Sequence, residues 1–286
     1  MQVIIDEKSG FCFGVQKAIA MADDRLKAKG QLYCLGELVH NAQEVERLKK
    51  LGLEVISLEQ YYQLASCTVL LRAHGEPPEV YEHAQKNQIQ LIDGTCPVVS
   101  RLQKRVLRSF DKLEGQGSLV IFGKAGHPEV TGLCGQVNYQ AIVVENEADL
   151  NKVDSAKPVI LYSQTTMSRG KYLHLKSLLL EKLENPALLE YHNTICGQVA
   201  NRGPWLQDFS QKVEAVVFVG GKKSSNSKVL FEICQKANPQ SYFINSPNEI
   251  KDLPLASYRI IGVCGATSTP RWLLDEVAEG LKAQFP

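Results

Sequence analysis

One pattern recurs along the whole of this 286-residue chain: a short β-branched apolar run, a loop of Gly, His, Ser or Thr, and then an amphipathic helix. QLYCLGELVHN leads into AQEVERLKKLG, TVLLRAHGEPP into EVYEHAQKN, and IQLIDGTCP into VVSRLQKRVLRSF; SLVIFGKAGHPE, PVILYSQTT, AVVFVGGKKSSNS and YRIIGVCGATSTP continue the series. A strand followed by a crossover helix returns in the same direction, so the pattern predicts parallel sheets. There are more such units than one open sheet usually holds. The expected fold is therefore α/β, with three small α/β lobes of mainly parallel sheet, and approximate boundaries at 1-96, 97-192 and 193-286. Local signals agree: Asn41 with Glu44 fits a capping box, Gly52 a helix stop, and Pro97 a first helical position.

Composition narrows the partners. Lys and Arg total 32 against 31 Asp and Glu, so no global field draws nucleic acid or an anionic membrane, and any anion site must be built locally. The start, MQVIIDEKSG, has no basic region followed by an apolar stretch and small-residue cleavage site, and no apolar run approaches the length of a bilayer span. A cytoplasmic location is expected. In that reducing compartment the 8 cysteines do not read as a disulfide framework; each is a buried hydrophobe, a metal ligand or a reactive thiol.

In open parallel sheets, ligands bind beyond the carboxyl ends of the strands. The residues expected there are Cys12, His40, His74, Cys96, His127, Glu129, Thr165, Thr166, Cys196, Ser224, Ser225, Asn226 and Ser268. Cys12, Cys96 and Cys196 fall about once per lobe, so only lobes gathered around a central site would unite them, and three thiolates together need a soft metal. No CxxC pair marks such a site, and each thiol could equally pack as a small hydrophobe. Cys34, Cys67, Cys134 and Cys234 read as core; Cys264 ends a strand and could face the site. His40, His74 and His127 occupy equivalent strand-to-helix corners, whereas His83, His174 and His192 read as surface or core residues. Glu129 at a helix start could simply complement the helix dipole. GGKKSSNS opens a helix as a phosphate cradle would, although it lacks the Walker A order and its serines could be mere caps. Lys222 and Lys223 read equally as a solvated face.

Taken together, GFCFGV, VHN, AHG, DGTCP, GHPEV, QTT, the Cys196 region, KKSSNSKVL and ATSTP, in this order, resemble the 4-hydroxy-3-methylbut-2-enyl diphosphate reductase family, the last enzymes of the non-mevalonate isoprenoid pathway. The resemblance implies three lobes arranged around a central cluster site. It further implies one [4Fe-4S] cluster per chain, held by Cys12, Cys96 and Cys196 with the fourth iron open to substrate. By the same resemblance Glu129, Thr165 and His127 are the catalytic proton-handling group. His40, His74, His127, Thr165, Ser224, Ser225, Asn226 and Ser268 would hold the diphosphate substrate. The implied reaction is a two-electron reductive dehydroxylation giving isopentenyl and dimethylallyl diphosphate, with ferredoxin or flavodoxin as electron donor. Arg202 keeps a family position while its neighbours in CGQVANRGP differ, VCGATSTP stands where the family favours TAGAS, and Arg72 beside His74 has no assigned role. Two other readings fit parts of the pattern: a zinc hydrolase with Cys or His ligands and Glu129 as base, and a non-catalytic iron–sulfur redox sensor.

Overall fold

The computed structural model describes residues 1–222 and 224–285; Lys223, Pro286 and the side chain of Ser225 lie outside the described residues. Among the described residues, twelve strands form three four-stranded sheets. They are β1 (Gln2–Ile5), β2 (Leu32–Leu35), β3 (Leu53–Ile56), β4 (Thr68–Leu71), β5 (Gln90–Asp93), β6 (Ser118–Phe122), β7 (Ile142–Val144), β8 (Val159–Ser163), β9 (Leu189–Tyr191), β10 (Ala215–Val219), β11 (Ser241–Ile244) and β12 (Ile260–Gly265). The sheet orders are β3-β2-β4-β5, β7-β6-β8-β9 and β1-β12-β10-β11. The pairings β1–β12, β10–β12, β10–β11, β2–β4, β4–β5, β6–β7, β6–β8 and β8–β9 run parallel, which is the expected three-lobed α/β architecture.

One strand departs from the expected division into thirds. β1, grouped by sequence with residues 1-96, pairs Gln2 with Ile260 through Ile5 with Val263 and so belongs with the last sheet. Val3 and Ile5 cover the core beside Val217 and Val263, whereas a local pattern carries no information about which distant edge a strand will join. By compactness the chain falls into two units. The first comprises Met1–Gln31, Glu37–Glu54 and Asn201 onward; the second comprises Leu32–Gly36 and Val55–Ala200.

In the first unit both faces of the sheet are apolar, as a sheet covered by helices on both sides requires. Ala215, Val217 and Val219 pack with Leu273, Leu274, Val277 and Leu281 of the helix Arg271–Gln284. Val216, Phe218 and Cys264 point the other way, onto Leu206, Leu230 and Cys234. The second unit repeats the arrangement: Val120, Phe122, Val159 and Leu161 face Tyr172, Leu175 and Leu179, while Leu119, Ile121 and Ile160 face Leu102, Val106 and Leu133. Leu35, Val69, Leu71 and Val80 form the core of its other sheet. Each buried Leu, Val or Ile contributes about 1.5–3 kcal/mol relative to exposure, so strand ends, and the loops leaving them, are held by cores on both faces.

The caps also show what sequence reading left undecided. Asn41 accepts the Glu44 N–H at 3.2 Å, but the Glu44 carboxylate does not return the bond. It accepts instead from Arg47 at 2.6 Å and from the Trp272 indole at 2.7 Å, joining the helix Ala42–Lys50 to the helix Arg271–Gln284. Pro97 opens the helix Pro97–Leu113 with Cys96 as its N-cap. No helix among the described residues is long and apolar enough to cross a membrane.

Candidate functional site

In the second unit the loops beyond β4, β5, β6, β8 and β9 are linked by a continuous set of hydrogen bonds and close contacts. Glu129, only 2% exposed, accepts at both carboxylate oxygens: Oε1 from the Thr165 N–H and Oε2 from the Thr165 hydroxyl, each at 2.7 Å. Burial pushes its pKa up from 4.5 to about 7 even though both Thr165 bonds favour the ionised form. Desolvation thus outweighs two good hydrogen bonds. Glu129 can therefore hold or release a proton near neutrality.

His127 caps the helix Pro128–Gly135, its Nδ1 accepting the Glu129 N–H at 3.1 Å. An imidazole that accepts at Nδ1 carries its proton on Nε2 when neutral, so His127 is held as an Nε2–H donor. Its ring lies edge-on to His74, with centroids 5.4 Å apart. His74 sits in the turn Arg72-Ala73-His74-Gly75, where Gly75 takes a φ of +73° and the turn packs closely against Gly132. A Cβ on Gly75 would lie 2.7 Å from Gln103, and one on Gly132 would lie 2.7 Å from the Gly75 carbonyl oxygen. Arg72, which had no role at the level of sequence, anchors the turn: its Nε pairs with the buried Glu76 at 3.1 Å, and Gln103 donates to the Glu76 carbonyl at 3.3 Å. Gln164, given no role above, accepts the Lys124 N–H at 3.0 Å and donates to Thr166 at 2.8 Å, sewing the loop after β6 to the loop after β8.

Two of the three candidate ligand cysteines are set into this arrangement through their own backbones. The Cys96 N–H donates to the Ala73 carbonyl at 3.0 Å, next to His74, and the Cys196 N–H donates to the Thr165 carbonyl at 2.8 Å. Thr194 holds the approach to Cys196 by exchanging hydrogen bonds with Ser163, at 2.6 and 2.9 Å.

The first unit treats Cys12 in the same way. Its N–H donates to the Thr267 carbonyl at 3.2 Å, the neighbour of Ser268, and it caps the helix Phe13–Lys29. Asn226 donates to the Thr267 hydroxyl at 3.0 Å, and Ser224 caps the helix Ser225–Ala237 by accepting the Ser227 N–H at 3.2 Å. The Ser268 and Ser227 hydroxyls are shielded from solvent with no hydrogen-bond partner among the described residues. Buried hydroxyls of that kind are costly unless something occupies them. The Gly220-Gly221 turn lies against the VHN segment: a Cβ on Gly221 would come 2.4 Å from the His40 carbonyl oxygen, and His40 Nδ1 is 3.9 Å from Glu37. Lys222 reaches Glu249 at 3.4 Å, in keeping with a solvated face. Ser225, expected among the anion-binding groups, has a side chain outside the described residues.

The remaining cysteines lie in or against the cores. Cys34 and Cys134 are buried, and burial pushes their thiols up to about 12 and about 11. Cys264, which might have faced the site, is fully buried against Cys234 in the core, and its thiol is held well above the ordinary value. Cys67 is half-buried, its thiol also raised by burial. Cys12, Cys96 and Cys196 are each partly exposed, and each is pinned by its N–H to a loop bearing a candidate substrate residue. Partly exposed thiols of this kind are the donor type that an iron–sulfur centre takes.

Known proteins match this chain from end to end. A 4-hydroxy-3-methylbut-2-enyl diphosphate reductase of Bacteroides fragilis is 50% identical over 286 residues, covering 100% of this chain and 99% of the relative. One from Phocaeicola vulgatus is 48% identical over 98% of both chains. A solved structure of (E)-4-hydroxy-3-methyl-but-2-enyl diphosphate reductase, described as the terminal enzyme of the non-mevalonate pathway, superposes with a TM-score of 0.75 at 31% identity, covering 99% of this chain and all of that one. The corresponding Plasmodium falciparum reductase gives a TM-score of 0.82 at 26% identity, covering 98% of this chain and 88% of that one. The family model described as LytB protein matches residues 3–282, and with these relatives it places the chain in the 4-hydroxy-3-methylbut-2-enyl diphosphate reductase family.

Proposed function

We propose that this chain reduces (E)-4-hydroxy-3-methylbut-2-enyl diphosphate to isopentenyl and dimethylallyl diphosphate in the cytoplasm, using a [4Fe-4S] cluster held by Cys12, Cys96 and Cys196. The observation that carries the reading is the shared anchoring of these cysteines: each backbone N–H is bonded to the loop that bears Ser268, His74 or Thr165. When bound, the cluster supplies two electrons singly and, having three cysteine ligands, one iron open to the substrate hydroxyl as a Lewis acid. The balance is substrate alcohol plus two electrons and two protons, giving the alkene and water as the C–O bond breaks.

The chain's own residues then have separate tasks. Glu129, protonated below about pH 7, is the proton source. Thr165, bonded to Glu129 through both its N–H and its hydroxyl, orients the substrate oxygen and passes the proton on. His127 offers Nε2–H beside this relay, while His40, His74, Ser224, Ser225, Asn226 and Ser268 bind the diphosphate with neutral or singly charged donors. Ferredoxin or flavodoxin is the proposed electron donor. The test is purification without oxygen followed by an assay for substrate reduction with an artificial one-electron donor. The expected result is a brown protein with about four irons and four sulfides per chain that turns over; stoichiometric zinc with no sulfide, or a full cluster without turnover, overturns the reading in favour of a hydrolase or a redox sensor respectively.

A further inference from the structure

Arg202 opens the helix Arg202–Gln211 and is only 2% exposed, yet stability does not explain it. A cation in the first turn of a helix opposes the helix dipole. A buried ion pair is moreover often no better than a well-packed apolar side chain. Its Nε and Nη1 have no hydrogen-bond partner among the described residues, so the guanidinium is only partly repaid for leaving water. All of its hydrogen bonding is concentrated on Nη2, which reaches Asp6 Oδ2 at 2.6 Å, the Gly265 carbonyl at 2.9 Å and the Ser9 hydroxyl.

These three acceptors lie on two loops. Asp6 and Ser9 begin the segment that leads to Cys12, and Gly265 ends β12 just before Thr267 and Ser268. Ser9 completes the junction by donating to Asp6 at 2.8 Å and accepting the Gly265 N–H at 2.8 Å, so its hydrogen-bonding capacity is full. The same two loops meet again at the Cys12 N–H and Thr267 carbonyl, 3.2 Å apart, and Asn226 is tied to Thr267 at 3.0 Å. We infer that Arg202 is a positioning residue that clamps the Cys12 loop to the Ser268 loop, so that one buried guanidinium sets both a cluster ligand and a diphosphate-binding hydroxyl. The meaning of those two groups rests on the function proposed above.

The alternative is that Arg202 merely neutralises the buried Asp6 carboxylate, and a double substitution separates the two. Arg202→Met, Arg202→Lys and Asp6→Asn/Arg202→Met are compared with the unaltered chain. Three properties are read: affinity of the cluster-free protein for inorganic pyrophosphate by calorimetry, the rate of Cys12 alkylation by iodoacetamide followed by peptide mass spectrometry, and thermal midpoint. Arg202→Met is expected to weaken pyrophosphate binding about tenfold and to speed Cys12 alkylation by about the same factor, the size of one lost charge-assisted contact. Arg202→Lys recovers part of both, because an ammonium can replace Nη2 but not the planar fork. The double variant, free of the uncompensated carboxylate, regains thermal stability but not affinity or Cys12 protection. A double variant with unaltered affinity and alkylation rate would overturn the inference, as would the same result for Arg202→Met alone. If the unaltered chain binds no pyrophosphate and retains no iron or sulfide when prepared without oxygen, the functional reading fails, and the Cys12 alkylation rates still decide the role of Arg202.

Discussion

The two units keep polar groups away from water in opposite ways. In the second unit the pair of Glu129 and Thr165 is closed on itself: both carboxylate oxygens are occupied by donors from one residue, and His127 is spent at Nδ1 as a cap. In the first unit Ser268 and Ser227 are shielded with no partner among the described residues, and the buried Arg202 is committed to Asp6 and the Gly265 carbonyl. A self-satisfied network holds one geometry and one proton inventory, which suits a group that must deliver protons to a fixed point. Unsatisfied buried hydroxyls store a demand for an acceptor, which suits the recognition of an anion. On the function proposed above, the contrast would give proton handling to the second unit and part of anion capture to the first.

The comparison can be broken in four ways. Cys96→Ser should have the largest effect, with iron and sulfide lost from the chain prepared without oxygen and turnover falling to background; an intact cluster spectrum would remove Cys96 from the ligand set. Glu129→Gln should keep the cluster spectrum and lose about 10²–10⁴-fold in kcat, the usual worth of a positioned proton donor. Unchanged turnover would mean that the closed network in the second unit is only structural.

The same residue makes a pH prediction whose sign follows from burial. The Glu129 carboxyl is raised from 4.5 to about 7, so between those values the folded chain keeps a proton that the unfolded chain has released. Stability is therefore lost as pH rises through this window and levels off above about 7, by on the order of 3 kcal/mol at most. Urea titrations of the unaltered chain and Glu129→Gln across the window should show this slope only in the former, and kcat of the former should fall above about pH 7 as the donor ionises. Equal slopes would place the proton elsewhere.

Ser268→Ala sharpens the comparison from the other side and should have the smallest effect. Removing a hydroxyl that has no partner among the described residues costs none of their hydrogen bonds, so the urea midpoint should be unchanged or slightly higher. KM for the diphosphate should rise about tenfold with kcat nearly kept, the pattern of a lost binding contact. A destabilised variant with normal KM would show that the hydroxyl is used by the fold.

Much of this is legible in the sequence. The alternation of apolar runs and helices gave the parallel strands, and the position of Cys12, Cys96 and Cys196 at loop ends, against Cys34, Cys134 and Cys234 inside elements, separated partly exposed thiols from buried ones, whereas Cys67, read as core, is only half-buried at the edge of its cluster. Pro97 was readable because its fixed φ suits a helix start whatever surrounds it. The capping box at Asn41 was only half readable: the backbone half is local and formed, while the Glu44 half was taken by Trp272, 228 positions away.

What sequence by itself determined are properties that depend on near neighbours: secondary structure, caps, and the residue types offered at each strand end. What only the tertiary structure decided are the properties of groups brought together from far apart. β1 joined β12, Gln164 bridged two loops, Arg72 found Glu76, and Arg202 found Asp6, Ser9 and Gly265. The proton affinity of Glu129 belongs to the same class, because it is set by how completely water is excluded rather than by any residue beside it in the chain. Periodicity encodes which face of an element is buried, but not which distant partner buries it.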